Sequence, residues 1–264
     1  MRKRKAIRVV LTIAGSDSGG GAGVQADLKT FAALGVHGAS TITCITAQNP
    51  RRVIGVEACS VKIIQKQLAA LAGELPPSAA KTGMLFSREI IRAVARWHRA
   101  QKCPLVVDPV MVATSGARLL EPDAVEVLGS ELFPRATLIT PNIPEAEALA
   151  GFPIREPEEM RKAARELHGR FGCAVLVKGG HLRTPGEALD IFFDGSTELL
   201  LAAPRVPGVR THGTGCTYSA AITAFLAKGE KLEPAVRLAK GFVTRAIATS
   251  WRVHGHDVLN SAAS

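Results

Sequence analysis

The sequence predicts an α/β fold in which a central, mostly parallel sheet lies between layers of helices. Runs at 7–14, 104–108 and 174–180 are apolar almost throughout, which is typical of strands covered on both faces, as in parallel sheets. Segments with helical periodicity separate these runs, and parallel strands need such crossovers. The chain of 264 residues is 47% apolar and 5% aromatic, so it can bury a large aliphatic core. We expect one domain over 1–264, with a short basic tail at 1–5.

The formal net charge of +10 at pH 7 raises the question of nucleic-acid binding. Outside 1–5 the basic residues are scattered, and few aromatic residues stand beside them. We therefore expect no nucleic-acid partner. A basic balance also suits an enzyme whose substrates are polyphosphates.

Five cysteines are widely spaced and form no C-x-x-C pair. They are Cys44, Cys59, Cys103, Cys173 and Cys216. This pattern favours neither a disulfide framework nor a zinc site, and it fits a reducing cytoplasm. The first apolar run is too short and too β-branched for a membrane span, and no signal-cleavage pattern follows it. We expect a cytoplasmic protein without a membrane partner.

A glycine-rich loop at 15–23 follows the first strand and leads into a helix at 24–34. Within it, Gly21-x-Gly23-x-x-Ala26 matches a relaxed dinucleotide-binding fingerprint. The context does not support that function, because the match begins well past the strand. In addition, the next strand, at 40–45, is followed by 46–49 without the acid that would hold a ribose. A Walker-type loop is also absent from the sequence.

The remaining elements follow from periodicity and from capping and turn residues. A helix is expected at 60–73, with Ser60 as its cap, and a short strand at 79–84. Further along we expect a helix at 87–101, a strand at 137–140 leading into a helix through Leu149, an amphipathic helix at 157–170, a hairpin of 189–193 with 198–202, and a helix at 234–250. No internal repeat or linker is visible, which supports one domain.

Charged and amide side chains follow several of the predicted strands. Asp108 ends one strand, at the edge where open α/β sheets bind ligands, although it could instead cap a loop. Asn142 and Glu145 stand three apart at a helix start, where they could jointly order water around magnesium or could form a capping box. Lys178 ends a further strand, where its charge could meet a phosphate.

A second glycine-rich loop, at 211–219, opens into a helix of small apolar residues at 220–226. The N–H groups of a first helical turn and the helix dipole together favour an anion such as a phosphate. Cys216 lies at this turn, so we expect a lowered thiol pKa and a thiolate able to accept a proton. The alternative is a tight turn whose glycines only relieve backbone strain.

Several of these stretches together resemble one family. They are Ala14–Gly23 with Gln25–Thr30, Thr46–Asn49, Lys81-x-Gly83-Met84, Val107–Val110 and Thr211–Cys216. The chain resembles the bacterial hydroxymethylpyrimidine/phosphomethylpyrimidine kinases of thiamine biosynthesis, which are ribokinase-like, from about Val9 to about Ala248. The resemblance implies a three-layer ribokinase-like fold, with substrate, ATP and Mg²⁺ meeting at the carboxyl ends of the strands. Tyr218 stands where the family would have an aliphatic residue.

The resemblance also implies a role for each matching position. The anion hole would be Gly213, Thr214 and Gly215, with Cys216 as the catalytic residue; the magnesium site Asp108, Asn142 and Glu145; the nucleotide site Lys178, Lys240 and Thr211; and the pyrimidine pocket Gln48, Gly15, Asp27, Met84 and Val110. A side-chain amide both donates and accepts hydrogen bonds, so Gln48 suits an aminopyrimidine.

Two other functions remain open from the sequence. A pyridoxal or pyridoxine kinase of the same superfamily would carry similar motifs. A noncatalytic vitamin-binding module would keep the fold without the chemistry, which the presence of Cys216, Asp108 and Lys178 disfavours. A homodimer is the expected assembly, since dimers are common among such kinases.

Overall fold

The computed structural model describes residues 6–112, 119–121, 123–180, 182, 186–209 and 212–262. Its strands are β1 Val9–Ala14, β2 His37–Ile42, β3 Cys44–Gln48, β4 Val53–Ala58, β5 Ala79–Thr82, β6 Leu105–Val107, β7 Leu138–Ile139, β8 Ala174–Lys178, β9 Glu187–Phe193, β10 Glu198–Pro204, β11 Trp251–Val253 and β12 His256–Val258. Eight of them form one sheet in the order β10-β9-β8-β7-β6-β5-β1-β2. Neighbours from β8 to β2 run parallel, and β9 and β10 add an antiparallel hairpin at one edge.

Helices cover both faces of this sheet. They are α1 Gly23–Ala33, α2 Val61–Glu74, α3 Arg88–Arg99, α4 Ala124–Val127, α5 Ile143–Ala150, α6 Pro157–Phe171, α7 Thr214–Ala227 and α8 Leu232–Ala248. In β6, Leu105 and Val107 pack into the cluster that includes α2, α3, α5 and α6, whereas Val106 packs with α7 and α8. This alternation places an aliphatic core on each side of the sheet and confirms the predicted three-layer α/β fold.

Local sequence accounts for several element boundaries. The Ser60 hydroxyl accepts a hydrogen bond from the Ile63 N–H, as predicted for the start of α2. The hairpin of β9 and β10 also forms around Asp194-Gly195, as its sequence predicts. These elements depend on neighbouring residues, so the sequence was sufficient to place them.

The prediction of one continuous strand at 40–45 is wrong, because the chain breaks there into two strands of different sheets. Strand β2 ends at Ile42, and β3 pairs antiparallel with β4 in a separate two-stranded sheet. At the break, the Thr43 N–H donates to the Ala14 carbonyl at 3.0 Å and its hydroxyl donates to the Met84 carbonyl at 2.6 Å. These two bonds hold the turn at the carboxyl end of β1, so β3 leaves the sheet and carries Gln48 over the sheet edge.

Several further elements had no sequence prediction, among them β4 and α4. Residues 128–135 form a π-helical turn followed by a 3₁₀ turn, and β11 and β12 form a C-terminal hairpin.

A wide groove of about 860 Å³ along α6 is lined by charged side chains such as Glu158, Lys162 and Glu166, as expected for a solvated helix face. In the part of the chain that the structure describes, no helix is both long and apolar enough to cross a bilayer.

Candidate active site

A cavity of about 600 Å³ opens at the carboxyl ends of the parallel strands. Parallel strands all end at the same edge of their sheet, so the loops after β1, β5, β6, β7 and β8 meet there. The predicted site residues that line it are Gly15, Asp27, Gln48, Met84, Asp108, Val110, Asn142, Glu145, Lys178, Gly213, Thr214, Gly215, Cys216 and Lys240. Thr211 lies outside the described residues. The sequence therefore predicted residues that the fold does bring together.

The second glycine loop caps α7 at Gly213, which has a φ of 81°. A Cβ atom at this position would lie 1.8 Å from the Gly21 carbonyl oxygen, so only glycine fits. The Gly213 carbonyl accepts the Thr217 N–H at 2.9 Å and so starts the helix. The two glycine-rich loops are thus in direct contact, and the N-terminus of α7 lies at the cavity.

Asp108 and Lys178 form an ion pair beside this helix start. Lys178 Nζ lies 2.7 Å from Asp108 Oδ1, and the Thr140 hydroxyl donates to the same oxygen at 3.2 Å. A Cβ atom at Gly215 would lie 3.2 Å from Lys178 Nζ, so the ammonium group lies against the first turn of α7. Burial alone would lower the pKa of Lys178, but the Asp108 and Glu145 carboxylates raise it. The ammonium therefore stays charged and adds to the positive potential of the helix end.

Asn142 and Glu145 form the capping box that their spacing allows. The Asn142 side chain accepts from the Glu145 N–H at 3.0 Å, and Glu145 accepts from the Asn142 N–H at 2.9 Å. The second Glu145 oxygen accepts from the Met111 N–H at 3.2 Å. Burial raises the pKa of Glu145, and Lys178 acts in the opposite direction. Among the described residues, no group of three or more His, Cys, Asp or Glu side chains could hold a metal by itself.

Cys216 lies in the first turn of α7 and is partly exposed in the cavity. The expectation of a lowered thiol pKa is wrong. Burial raises the pKa of Cys216 to about 11, and the Asp27 and Asp108 carboxylates act in the same direction. The Lys81 ammonium and the Gly23 N–H counter only part of this rise. At neutral pH the sulfur therefore carries its proton, because loss of solvation outweighs the helix dipole.

A buried ion pair that no sequence motif assigned lies close to the thiol. Lys81, on β5, has Nζ 2.8 Å from Asp27 Oδ1, and both side chains are 0% exposed. The Thr12 hydroxyl donates to the other Asp27 oxygen at 2.6 Å, so each oxygen of this carboxylate has a protein partner. Burial alone would lower the pKa of Lys81, but Asp27 raises it. The signal in the sequence was a charged residue inside the apolar strand 79–82.

Lys240 is also paired inside the protein. Its Nζ lies 2.7 Å from Asp190 Oδ2 and 3.0 Å from the Ala188 carbonyl oxygen, and its side chain is 11% exposed. The other Asp190 oxygen accepts the Gly179 N–H at 3.0 Å. Lys240 thus joins α8 to β9 at the cavity wall, and Asp190 is a lining residue that the sequence did not indicate.

Gln48 faces the cavity from the end of β3. Its side-chain nitrogen lies 2.9 Å from His212 Nε2, and its backbone N–H donates to the Ser18 hydroxyl at 2.8 Å. On the opposite side, Val110 has a φ of 42°, a strained conformation for a β-branched residue that costs about 1–3 kcal/mol. Such strain is concentrated at functional sites, which agrees with a pocket here.

A model of the phosphomethylpyrimidine kinase family matches residues 17–260. A hydroxymethylpyrimidine/phosphomethylpyrimidine kinase from Rhizobium meliloti is 52% identical over 93% of this chain and 92% of its own length. A bifunctional thiamine biosynthesis protein from Geobacter sulfurreducens is 48% identical over 95% of this chain, which spans 51% of that relative. An ADP complex of Bacillus subtilis pyridoxal kinase superposes with a TM-score of 0.90, at 37% identity and 98% coverage of both chains. The match over most of its length shows that this chain belongs to the phosphomethylpyrimidine kinase family.

Proposed function

We propose that the protein is an ATP-dependent kinase of thiamine biosynthesis. It phosphorylates the hydroxymethyl group of 4-amino-5-hydroxymethyl-2-methylpyrimidine and then phosphorylates the monophosphate to the diphosphate. The observation that carries this proposal is that Gln48, Cys216 and the Asp108–Lys178 pair line one cavity at the start of α7. That arrangement combines a group that can read a polar ring edge with groups that can hold phosphate.

The protein's contribution to phosphoryl transfer is alignment and charge stabilisation. The backbone at Gly213, Thr214 and Gly215 opens α7, so its N-terminus meets the negative charge of the transferring group. Lys178 lies against the same turn and supplies a full positive charge. Lys240, on α8, also lines the cavity and would contact the nucleotide.

Asp108, Asn142 and Glu145 are the residues that would hold Mg²⁺. The fit is to a hydrated ion, since Asp108 is paired with Lys178 and Glu145 accepts two backbone N–H groups, which leaves few direct ligands. Mg²⁺ keeps several waters and binds through few carboxylates together with phosphates. When bound, the ion neutralises charge on the ATP phosphates.

On the acceptor side, Gln48 would bind the ring edge and direct the hydroxymethyl group towards Cys216. The hydroxymethyl oxygen forms a bond to the γ-phosphorus as the bond to the β,γ-bridging oxygen breaks, so ADP leaves with that electron pair. The hydroxyl proton passes to Cys216 in its thiolate form. With the pKa of Cys216 at about 11, the thiolate is on the order of 10⁻⁴ of the population at pH 7. The thiolate is then a strong base, but only this small fraction of the molecules can accept the proton at neutral pH.

A pyridoxal kinase is the second candidate, and the likeness to the Bacillus subtilis pyridoxal kinase favours it. The two functions share fold and nucleotide chemistry and differ in the ring that the pocket accepts. A noncatalytic vitamin-binding module would have no need to keep Lys178 and Asp108 paired at the helix start beside the Cys216 thiol.

Product analysis separates these functions. The protein with ATP and Mg²⁺ is offered the pyrimidine alcohol and pyridoxal, alone and in competition, and the products are identified by mass spectrometry. We expect the pyrimidine mono- and diphosphates as main products. Phosphorylation of pyridoxal alone would make the second candidate correct, and ligand binding without ADP release would indicate the noncatalytic module.

The remaining expectations are proposals that rest on the resemblance for the homodimer and on composition, charge and cysteine pattern for the others. They are a homodimer, a single domain over 1–264, a cytoplasmic location and no nucleic-acid partner. Light scattering of the purified chain measures the first. A salt-dependent shift of duplex DNA would contradict the last.

A further inference from the structure

His212 has contacts that give it a role of its own. It directly precedes Gly213, and 18% of its side chain is exposed. Its Nε2 atom lies 3.2 Å from Asp17 Oδ2 and 2.9 Å from the side-chain nitrogen of Gln48. One ring atom therefore faces two polar groups, one from the first glycine loop and one from β3.

The Asp17 carboxylate determines whether His212 Nε2 carries a proton. The carboxylate is 2% exposed and accepts the backbone N–H groups of Gly19, Gly21 and Ala22 at 2.8, 3.0 and 2.8 Å. Burial alone would raise the pKa of Asp17, but the hydrogen bonds from His212 and from the backbone lower it. An ionised carboxylate only accepts hydrogen bonds, so the atom that faces it must be a donor. His212 therefore carries a proton on Nε2.

Hydrogen bonding around Gln48 then determines the orientation of its amide. A protonated Nε2 has no lone pair and cannot accept from the amide NH₂, and two donors facing each other at 2.9 Å repel. The amide oxygen must therefore face His212, where it shares the Nε2 proton with Asp17. On its other side, the amide lies 3.3 Å from the Thr46 hydroxyl, which already donates its one hydrogen to the Ser16 carbonyl at 2.7 Å. That hydroxyl can only accept from Gln48, so the amide nitrogen must face Thr46. An amide has two orientations that differ by a 180° rotation, which exchanges its oxygen and its nitrogen. The same one of these two orientations meets both requirements.

We propose that His212 is a positioning residue that holds the Gln48 amide with its oxygen towards the imidazole. A held amide presents its remaining donor and acceptor to the cavity in one order. Without His212, only the longer 3.3 Å contact with the Thr46 hydroxyl opposes rotation of the amide, so both orders become populated. The protein would then discriminate a 4-aminopyrimidine from the 4-oxo analogue, in which donor and acceptor on the ring edge are exchanged. This inference rests on the proposed function for the ring that enters the pocket.

The test compares kcat/KM for the 4-amino substrate and for its 4-oxo analogue. For the wild-type protein we expect a preference of about 10- to 100-fold for the amino compound, because the exchanged edge leaves polar groups unmatched. His212→Leu should remove most of this preference and leave the KM for ATP nearly unchanged. His212→Gln should restore it, since a side-chain NH₂ donates to both Asp17 and Gln48.

Lys29→Met is the matched control. Its Nζ donates to the Gly20 carbonyl at 2.7 Å, so the variant loosens the same glycine loop without touching Asp17 or Gln48. It should keep the wild-type preference. If His212→Leu keeps the preference as well, or if it raises the KM for ATP equally, His212 has no positioning role of this kind.

Nitrogen-15 NMR of the imidazoles tests the same arrangement without turnover. We expect the neutral His212 ring to carry its proton on Nε2, with the signal assigned by its loss in His212→Gln. A neutral Nδ1–H ring would overturn the proposal. Failure of the wild type to phosphorylate either pyrimidine would overturn the proposed function and the discrimination together, while the NMR result would still decide the His212–Asp17 contact.

Discussion

The ammonium group of Lys81 lies 2.8 Å from Asp27 Oδ1, and neither side chain has any exposed surface. The pair joins β5 to α1, and both residues line the cavity that contains Cys216. Removal of one member of such a pair leaves an uncompensated charge in the interior, which costs far more than the pair itself contributes.

Lys81→Met should therefore lower the free energy of unfolding by about 3–5 kcal/mol. The double variant Lys81→Met/Asp27→Asn should recover much of this loss, because no buried charge then lacks a partner and the Thr12 hydroxyl keeps an acceptor. Urea unfolding measures both. The exposed pair Arg237–Glu233 is the control, and Arg237→Met should cost no more than about 1 kcal/mol. Equal instability of the single and double variants would contradict the ion-pair interpretation.

Gln48→Ala should raise the KM for the pyrimidine and leave the KM for ATP nearly unchanged. The ring would lose hydrogen bonds worth about 1–3 kcal/mol, or roughly 5- to 150-fold in affinity. Gln67→Ala is a matched control, because the Gln67 amide bonds the Ile42 backbone at 2.9 and 3.1 Å and does not line the cavity. A similar rise in both KM values for Gln48→Ala would argue against recognition of the ring.

Glu145→Gln should increase the magnesium concentration needed for half-maximal activity by about tenfold or more, as outer ligands of metal sites do. Glutamine can still occupy the third position of the capping box, so α5 should remain intact. The capping box of α6 offers a control at Glu159, far from the cavity lining, and Glu159→Gln should leave the magnesium titration unchanged. The same unchanged titration for Glu145→Gln would restrict Glu145 to its capping role.

Cys216 should react with iodoacetamide slowly at neutral pH and faster as the pH rises. Only the thiolate reacts, and its fraction increases by about tenfold per pH unit up to the pKa of Cys216 at about 11. Rates between pH 6 and 9 are measured against a Cys216→Ala background, which removes the signal of the other thiols. A rate that is already constant over this range would mean that the pKa lies below it.

The pKa of Cys216 also affects how much kcat should fall when this cysteine is replaced. A general base contributes about 10²- to 10⁴-fold, and the small thiolate fraction argues for the lower end. We expect Cys216→Ser to reduce kcat by about 10²-fold with ATP binding retained, and Cys216→Asp to recover part of the loss. Wild-type turnover by Cys216→Ser would leave the thiol as packing.

Much of the site could be predicted because its residues follow buried strands directly. Asp108 directly follows β6 and Lys178 is the last residue of β8, and strands of a parallel sheet end at the same edge. Ser60 and the hairpin around Asp194-Gly195 depend on neighbours within a few residues, so they were also predictable. The path of β3 was not, because it depends on bonds from Thr43 to Ala14 in β1 and to Met84 after β5, which a local pattern does not contain.

The amino-acid sequence by itself determined the α/β class, the order of most elements, and the set of polar residues placed at strand ends. It did so because apolar periodicity and capping residues act over short distances along the chain. Only the tertiary structure decided that Lys81 pairs with Asp27, that Gln48 meets His212 at a separation of 164 residues, and that burial raises the pKa of Cys216. Those properties depend on which groups share a desolvated space, and desolvation is set by the packed fold and not by neighbours in sequence.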